Sequence, residues 1–381
     1  MDAQKTHPVE ARPAAVGQRD PHGDSDLRVL WLNLAVDADD PVLGFASGWL
    51  AEVARRVDRV EAITMIGGRL DLPDNVRVTS IGKERGYSEP RRAVEFYRAL
   101  VSAVRRLRPH ACFSHMAPIF SVMAAPVLRP LGVPIVTWYA HPKVTPTLRA
   151  AHAVSRRMVT SAPGAYRYKH DKLTVLSQGI DEARFPPAPP AEGPPYELVS
   201  VGRLSPVKDP MTMVRAVSTL RDGGIDARLT LVGEAPAGQE HFAEQLRAEI
   251  GRLGLSEHVD MPGACTNAEA GARHRAAFAH LNAAPADHSL DKAVLEALFS
   301  GRPSLTSTDG FAATFGPAAD LLLFPEGDAD ALAQRVATLV AMPDEERASL
   351  STDARRRAIG MHGLSGLADS IVDLLKAQAH A

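Results

Sequence analysis

The chain has 381 residues, of which 45% are hydrophobic and 23% charged, and its net charge is −2. That length suits two domains of ordinary size, and that charge balance argues against nucleic acid or anionic lipid as an electrostatic partner. Two cysteines, Cys112 and Cys265, are too few for a disulfide framework and fit a cytoplasmic protein with packed, unreactive thiols. No run reaches the ~18 apolar residues of a membrane span. Residues 1–26 are rich in Pro, Asp, His and Ala without an apolar stretch, and read as a disordered tail rather than a secretory signal.

Strand and helix signals then alternate, the pattern of parallel sheets with helices on both faces. Strands are expected over 28–36, 60–65, 76–81, 111–115, 133–139, 158–161 and 173–176. Helices are expected over 44–57, 89–107, 118–131 and 147–157. Residues 184–195 are dominated by Pro and Ala, a stiff extended linker that marks a domain boundary. Beyond it the same logic repeats. Strands are expected over 196–201, 227–232, 258–261, 279–283 and 303–306, and helices over 210–220, 241–253, 268–274 and 290–300. Segments 320–324, 329–340 and 344–358 complete the second unit, and a last helix over 367–377 follows it.

The segment from Leu198 to Pro210 carries the strongest chemical signal. A β-branched run ends at Gly202, and Arg203 and Lys208 follow before a helix start. Open α/β sheets bind ligands beyond the C-terminal ends of their strands. Two fixed cations there suit a diphosphate and can stabilise it as a leaving group without a metal. The expected helix from Leu290, with Ser289 as its cap, would turn free amide groups toward an anion. Two turns into it lies Glu296. On its own it reads as a surface residue of an amphipathic helix, but the following Gly301-Arg302-Pro303 and strand place it at the same sheet edge. There it could accept both hydroxyls of a ribose.

His141 and His115 each end an apolar strand, where an imidazole can bind a sugar hydroxyl or carry a proton. Gly44 sits at a strand-to-helix turn that permits close backbone approach to a ligand. No G-x-G-x-x-G or P-loop pattern is present. The pairs Asp37/Asp39 and Asp328/Asp330 read as a solvated turn and a helix cap, so no metal is expected. Arg91, Arg92, Arg98, Arg105, Arg106 and Arg108 read chiefly as a solvated helix face, with at most a weak peripheral membrane contact.

Together these segments resemble family 4 glycosyltransferases, retaining enzymes of the GT-B fold. The V-G-R-L-x-x-x-K-D signature is matched by Val201 to Asp209. Leu231-Val232-Gly233-Glu234 approximates an L-V-G-x-G turn, Leu295 to Pro303 matches L-E-A-x-x-x-G-x-P, and Ser177 to Asp181 resembles an N-G-V/I-D phrase. The resemblance implies two Rossmann-like domains facing each other across a cleft. Residues 27–183 would bind the acceptor, 184–195 link, 196–365 bind the donor, and a terminal segment 366–381 pack back on the first domain. It implies a nucleoside-diphosphate sugar as co-substrate, UDP- or GDP-linked, with no cofactor, and an acceptor hydroxyl on a natural product, glycolipid or cell-envelope glycan. Arg203 and Lys208 would grip the diphosphate, with Gly202 and Glu234 beside them, Glu296 would hold the ribose and His141 would sit near the transferred sugar. Eight residues before Glu296 the family places a Glu on the donor sugar, and here that position is His288. His288 or Asp291, flanked by Ser289 and Leu290, is expected to take over that contact. The alternatives are an epimerase or phosphorylase on the same fold, or a protein that binds nucleotide sugars without transfer.

Overall fold

The computed structural model describes residues 26–40, 43–191 and 193–380, so the tail expected over 1–26 lies outside the described residues except for Asp26. The first unit runs β1 (Arg28–Val36), α1 (Gly44–Ala54), β2 (Arg59–Gly67), β3 (Val76–Ser80), α2 (Glu89–Leu107), β4 (Ala111–His115), α3 (Pro118–Leu128), β5 (Ile135–Trp138), α4 (Pro146–Val154), β6 (Arg157–Thr160) and β7 (Leu173–Val175). Its strands lie in the order β3-β2-β1-β4-β5-β6-β7 and pair in parallel. The central strands β1 and β4 are buried along almost their whole length, as a sheet covered on both faces requires. Three helix ends of this unit fall short of the sequence expectation, α4 stopping at Val154 rather than at 157. Helix α1 stops at Ala54, and the helix expected to reach 131 is α-helical only to Leu128, then tightens into a 3-10 turn over Arg129–Leu131. Pro130 removes the amide that the α-helix would need there.

The second unit runs β8 (Tyr196–Val201), α5 (Pro210–Asp222), β9 (Ala227–Val232), α6 (Glu240–Arg252), β10 (Val259–Gly263), α7 (Asn267–Ala276), β11 (Ala279–Asn282), α8 (Lys292–Phe299) and β12 (Ser304–Thr306). Two short helices, α9 (Ala312–Phe315) and α10 (Ala319–Leu322), precede the long α11 (Ala329–Ala341) and α12 (Asp344–His362). Its five parallel strands lie in the order β10-β9-β8-β11-β12. In both sheets the order reverses once, between β1 and β4 and between β8 and β11. Loops leaving such a neighbouring pair diverge to opposite faces and open a crevice, so each sheet has one ready-made ligand position.

The two units are joined twice. The proline-rich segment leads from the first to the second, and its Ala188 amide donates to the Ser300 carbonyl at the end of α8 (3.1 Å). After α12 the chain returns: Gly363 bridges to Ile180, and α13 (Leu364–Ala379) lies on α1 of the first unit. A glycine is needed at that break, because a Cβ on Gly363 would lie 2.7 Å from the Ile359 carbonyl oxygen. Helix α13 buries Leu364, Leu367, Ala368, Ile371, Val372 and Leu375, one stripe at helical spacing, in the core formed by Trp31, Trp49, Leu50 and Val53. Ile371 is fully buried. Ile371→Ala is expected to cost about 2–5 kcal/mol, seen as a lower urea midpoint, and a change under about 0.5 kcal/mol would mean that α13 is not part of that core.

The arginines of α2 are largely engaged. Arg106 makes a two-pronged pair with Glu61 (3.0 and 2.9 Å), Arg98 meets Glu95, and Arg91 stacks on the Tyr87 ring. Both cysteines are free, and burial raises both thiol pKa values. Among the described residues no helix is long and apolar enough to cross a membrane.

Candidate active site

The crevice of the second sheet is built by the loops after β8 and β11. Strand β8 stops at Val201, and the Gly202 amide donates to the Val232 carbonyl (2.9 Å), which carries the pairing one residue past the strand. Beside it, Gly233 has φ +143°, and a Cβ there would meet the Gly202 carbonyl oxygen at 1.9 Å. Only glycine lets these two strand ends lie so close. Arg203 then stands exposed at the sheet edge, while Ser205 and a 3-10 turn over Pro206–Lys208 lead to Asp209. Asp209 has φ +38° and caps α5, accepting from the Thr212 amide (3.2 Å) and the Thr212 hydroxyl. An Asp tolerates that left-handed conformation better than most residues. The turn is thereby fixed, and with it the direction of Lys208.

Lys208 is not a free cation. Its ammonium is ion-paired with the Asp291 carboxylate, both side chains being about six-sevenths buried. The same oxygen, Asp291 Oδ2, accepts from Asn282 Nδ2 (2.8 Å), and Asp291 Oδ1 accepts from the Ala293 amide. Burial alone would raise the Asp291 carboxyl, but the Lys208 charge and hydrogen bond outweigh it and hold the pKa below the usual carboxylate range. Asp291 is also the residue that caps α8. The helix therefore begins at Lys292, and Ser289 does not cap it as expected. A carboxylate caps as well as a hydroxyl does and also complements the positive helix end. Ser289 is half-buried, and Leu290 is buried with its carbonyl accepting from Gln178 Nε2 of the first unit (2.7 Å).

Glu296 lies one turn beyond Lys292, its side chain about one-fifth exposed. Burial pushes its carboxyl upward, and the Lys292 ammonium opposes that shift. Below it His274 approaches to 3.9 Å. His274 is fully buried with neither ring nitrogen hydrogen-bonded, and burial followed by neighbouring His280 pushes its pKa well down, so it is neutral. His280 bonds Ser304 through Nδ1 (2.7 Å). His288 is half-buried on the loop between β11 and α8, and burial and then Lys208 lower its pKa. Glu234 is exposed after β9, and its backbone carbonyl takes the Leu204 amide (2.9 Å).

The first sheet's crevice faces this one. Lys292 reaches across and sets its ammonium 2.8 Å from the centroid of the Phe45 ring, at the start of α1. Arg167 pairs with Asp287 (2.5 Å), so the loop before α8 is held from the other side as well. Gly44 lies beside Phe45, but its amide is already bonded to the Asp40 carbonyl (2.9 Å), and its lack of a side chain serves the turn against Ala38. His115 departs most from expectation. It ends β4, but its ring is 1% exposed, packed against Trp49 and Trp138, with Nδ1 on Asn33 Oδ1 (3.1 Å). Burial, with Lys292 nearby, drives its pKa to about 3. It is a neutral wall of the crevice rather than an open ligand contact. Met116, the next residue, has φ +53°, a costly conformation for an unbranched long side chain, and strain of that kind clusters at functional sites. His141 stands exposed after β5, its Nδ1 accepting from the Lys143 amide (3.0 Å), which leaves Nε2 free to meet a ligand.

Residues 181–357 match the family model described as "Glycosyl transferases group 1". Over this segment the chain is similar to the group 1 glycosyltransferases. WcaL of Escherichia coli K12, which carries the name of a colanic acid biosynthesis glycosyltransferase, is 29% identical over 194 residues, or 49% of this chain. A GDP-mannose-dependent α-(1-6)-phosphatidylinositol dimannoside mannosyltransferase of Mycobacterium tuberculosis is 33% identical over 167 residues, or 42% of this chain. The match covers 47% and 39% of those two relatives' own length. HepE of Anabaena, solved in complex with UDP, aligns with 92% of this chain and 100% of its own, at a TM-score of 0.68 and 16% identity. The fold is therefore GT-B.

Sequence reasoning missed four residues of the site. Lys292 carried one signal, its spacing of one turn before Glu296. Asn282, His274 and Phe45 carried none, because their part depends on contacts made between distant strands or across the cleft.

Proposed function

We propose that the chain transfers a sugar from a nucleoside-diphosphate sugar to an acceptor hydroxyl with retention of configuration. The donor would sit in the second crevice and the acceptor in the first. One observation supports this reading: the loop bearing Arg203 and Lys208 follows β8 and the helix bearing Glu296 follows β11, the two strands at the reversal of the second sheet, and the Lys208–Asp291 pair ties that loop to the start of that helix, with His141 on the facing domain. Arg203 supplies the uncompensated charge for the diphosphate and Lys208 a second donor held in place by Asp291. Glu296 takes the ribose hydroxyls, and Gly202 and Glu234 line the nucleotide side. The glycosidic bond to phosphate breaks with its electron pair going to the diphosphate, whose charge Arg203 and Lys208 stabilise. The acceptor oxygen attacks from the same face, and its proton passes to the departing phosphate oxygen. His141 orients the sugar. This scheme calls on no enzymic nucleophile and no metal.

A UDP- or GDP-sugar is favoured, by likeness to the UDP complex and to the GDP-mannose-dependent relative. A thermal-shift series with UDP-, GDP-, ADP- and TDP-sugars tests the reading. The matching donor is expected to stabilise the protein by about 2.7 kcal/mol at a hundredfold excess over its dissociation constant. No response to any of the four would overturn it.

Of the two candidates for the missing acidic sugar contact, Asp291 is fully occupied by Lys208, Asn282 and the Ala293 amide. His288, neutral and half-buried, remains. His288→Ala is expected to lower kcat/KM for the donor about 10–100-fold, or about 1.4–2.7 kcal/mol, with unchanged affinity for the free nucleoside diphosphate. Wild-type donor kinetics would exclude it from the sugar pocket.

A further inference from the structure

On the far side of the second unit from the donor crevice lies a cavity of about 450 Å³, walled by the interdomain linker (Pro187, Ala188, Pro190, Ala191) and by α12. That volume is within the usual range for small-molecule sites. Four arginines line it: Arg302, Arg347, Arg355 and Arg356. Two are already neutralised, Arg347 by Asp344 and Arg356 by Asp353. The other two are not. Arg302 is 96% buried, and its guanidinium bonds only main-chain carbonyls, those of Arg275 and Pro189. Arg355 donates only to the Phe299 carbonyl (2.7 Å). Among the described residues no carboxylate pairs with either. A buried guanidinium without a counter-anion, such as Arg302, is costly, and with the half-buried Arg355 and the Ser351 and Thr352 side chains lining the same cavity it makes a receptor for a compact dianion. Phe278, Pro190 and Ile359 supply an apolar wall for the ligand's body.

The position of the cavity gives it a consequence. Both connections between the domains border it: the linker directly, and α12 through Ile359, four residues before the Gly363 crossing. Helix α8 ends there. Arg355 holds the Phe299 carbonyl and the linker's Ala188 amide holds the Ser300 carbonyl, while the opposite end of the same helix carries Asp291, Lys292 and Glu296. At eight residues this helix is a rod of about 12 Å. An anion that draws Arg355 from Phe299 acts on one end of the element that presents the donor site at the other.

We propose that this cavity binds a small phosphate monoester, and that its occupation is linked to nucleotide binding through α8. Linkage is reciprocal, so each ligand must change the other's affinity by the same factor.

Isothermal calorimetry on the full chain with glucose 6-phosphate, alone and with saturating UDP, tests it. Expected is a single saturable event that persists when UDP is bound, is weaker for inorganic phosphate, and falls at least tenfold in Arg355→Gln and in Ser351→Glu. Ser351→Glu leaves both the donor crevice and the Phe299 carbonyl untouched and is expected to keep its affinity for UDP measured without the ester, whereas Arg355→Gln frees that carbonyl and is expected to shift UDP affinity in the same direction as the ester does. The ester is expected to change UDP affinity about 5-fold or more. No saturable binding up to about 10 mM, loss of binding when UDP is present, or binding indifferent to both substitutions would each overturn the site. UDP affinity identical with and without the ester would overturn the linkage. The ester titrations and the two variants decide the question even if UDP itself does not bind, so a failure of the transferase reading is seen separately.

Discussion

Replacing Lys208 with Met is expected to lower both turnover and stability, and adding Asp291→Asn should restore the second without the first. The two losses have different origins. Loss of turnover follows from removing a donor to the departing diphosphate, worth about 2–4 kcal/mol or a factor of about 10²–10³. Loss of stability follows from stranding Asp291, whose partners would then be Asn282 and a backbone amide alone. Breaking a buried pair by removing one partner costs about 3–5 kcal/mol, and the lower end applies because both side chains keep some exposure. Asn at 291 removes the stranded charge, still accepts from the Ala293 amide as a cap, and so should recover most of that loss. A pH signature accompanies it. The folded Asp291 pKa lies below its unfolded value, so the pair's contribution is complete above about pH 4 and is lost as pH falls through the folded pKa. Acid unfolding of the double variant should lack that component. Recovery of activity together with stability in the double variant would make Lys208 a structural residue only.

Glu296→Gln should behave in the opposite sense: a large functional loss with no loss of stability in the free protein. A carboxylate that accepts two ribose hydroxyls makes charged hydrogen bonds of about 1.5–3 kcal/mol each. Nucleoside-diphosphate affinity is therefore expected to fall about 10–100-fold by calorimetry. In the free protein, burial raises the folded pKa of Glu296 above its unfolded value. Such a group favours the folded state at low pH, and that advantage disappears as pH rises through the folded pKa. At pH 8 the ionised carboxylate is thus a burden that Lys292 offsets only in part. The neutral amide removes it, and the melting temperature at pH 8 is expected to be equal or higher. A drop in melting temperature with unchanged nucleotide affinity would show that Glu296 serves Lys292 and not the ligand.

Much of this arrangement was legible in the sequence because it is local. The run from Leu198 to Gly202 is apolar, β-branched and closed by glycine, so the strand, its end and the exposed Arg203 follow from a dozen neighbouring residues. The cap of α8 was misplaced by two positions because Ser289 and Asp291 are both good caps. What decided between them is Lys208, 83 residues away, which holds Asp291 in place. Likewise His115 ends its strand as expected, but its orientation is set by Trp49 and Trp138, on a helix and a strand it meets only in the folded sheet. Pairing across the cleft, as between Lys292 and Phe45, leaves no periodicity or spacing to read. Chain-order patterns thus locate the edge of each sheet, and long-range contacts decide which side chains at that edge remain open to a ligand.

The return of α13 has a consequence for how the chain is made. Everything else in the first domain has been synthesised once the chain reaches the linker, but the hydrophobic face of α1 then waits for Leu367, Ile371 and Leu375 to be made after the whole second domain. At about 5–20 residues per second that delay is on the order of ten to forty seconds. During it the nascent first domain exposes a tryptophan-bearing surface, a natural target for chaperones. A ribosome-stalled chain ending near residue 362 should accordingly be cleaved by protease within α1, where the released full-length protein resists.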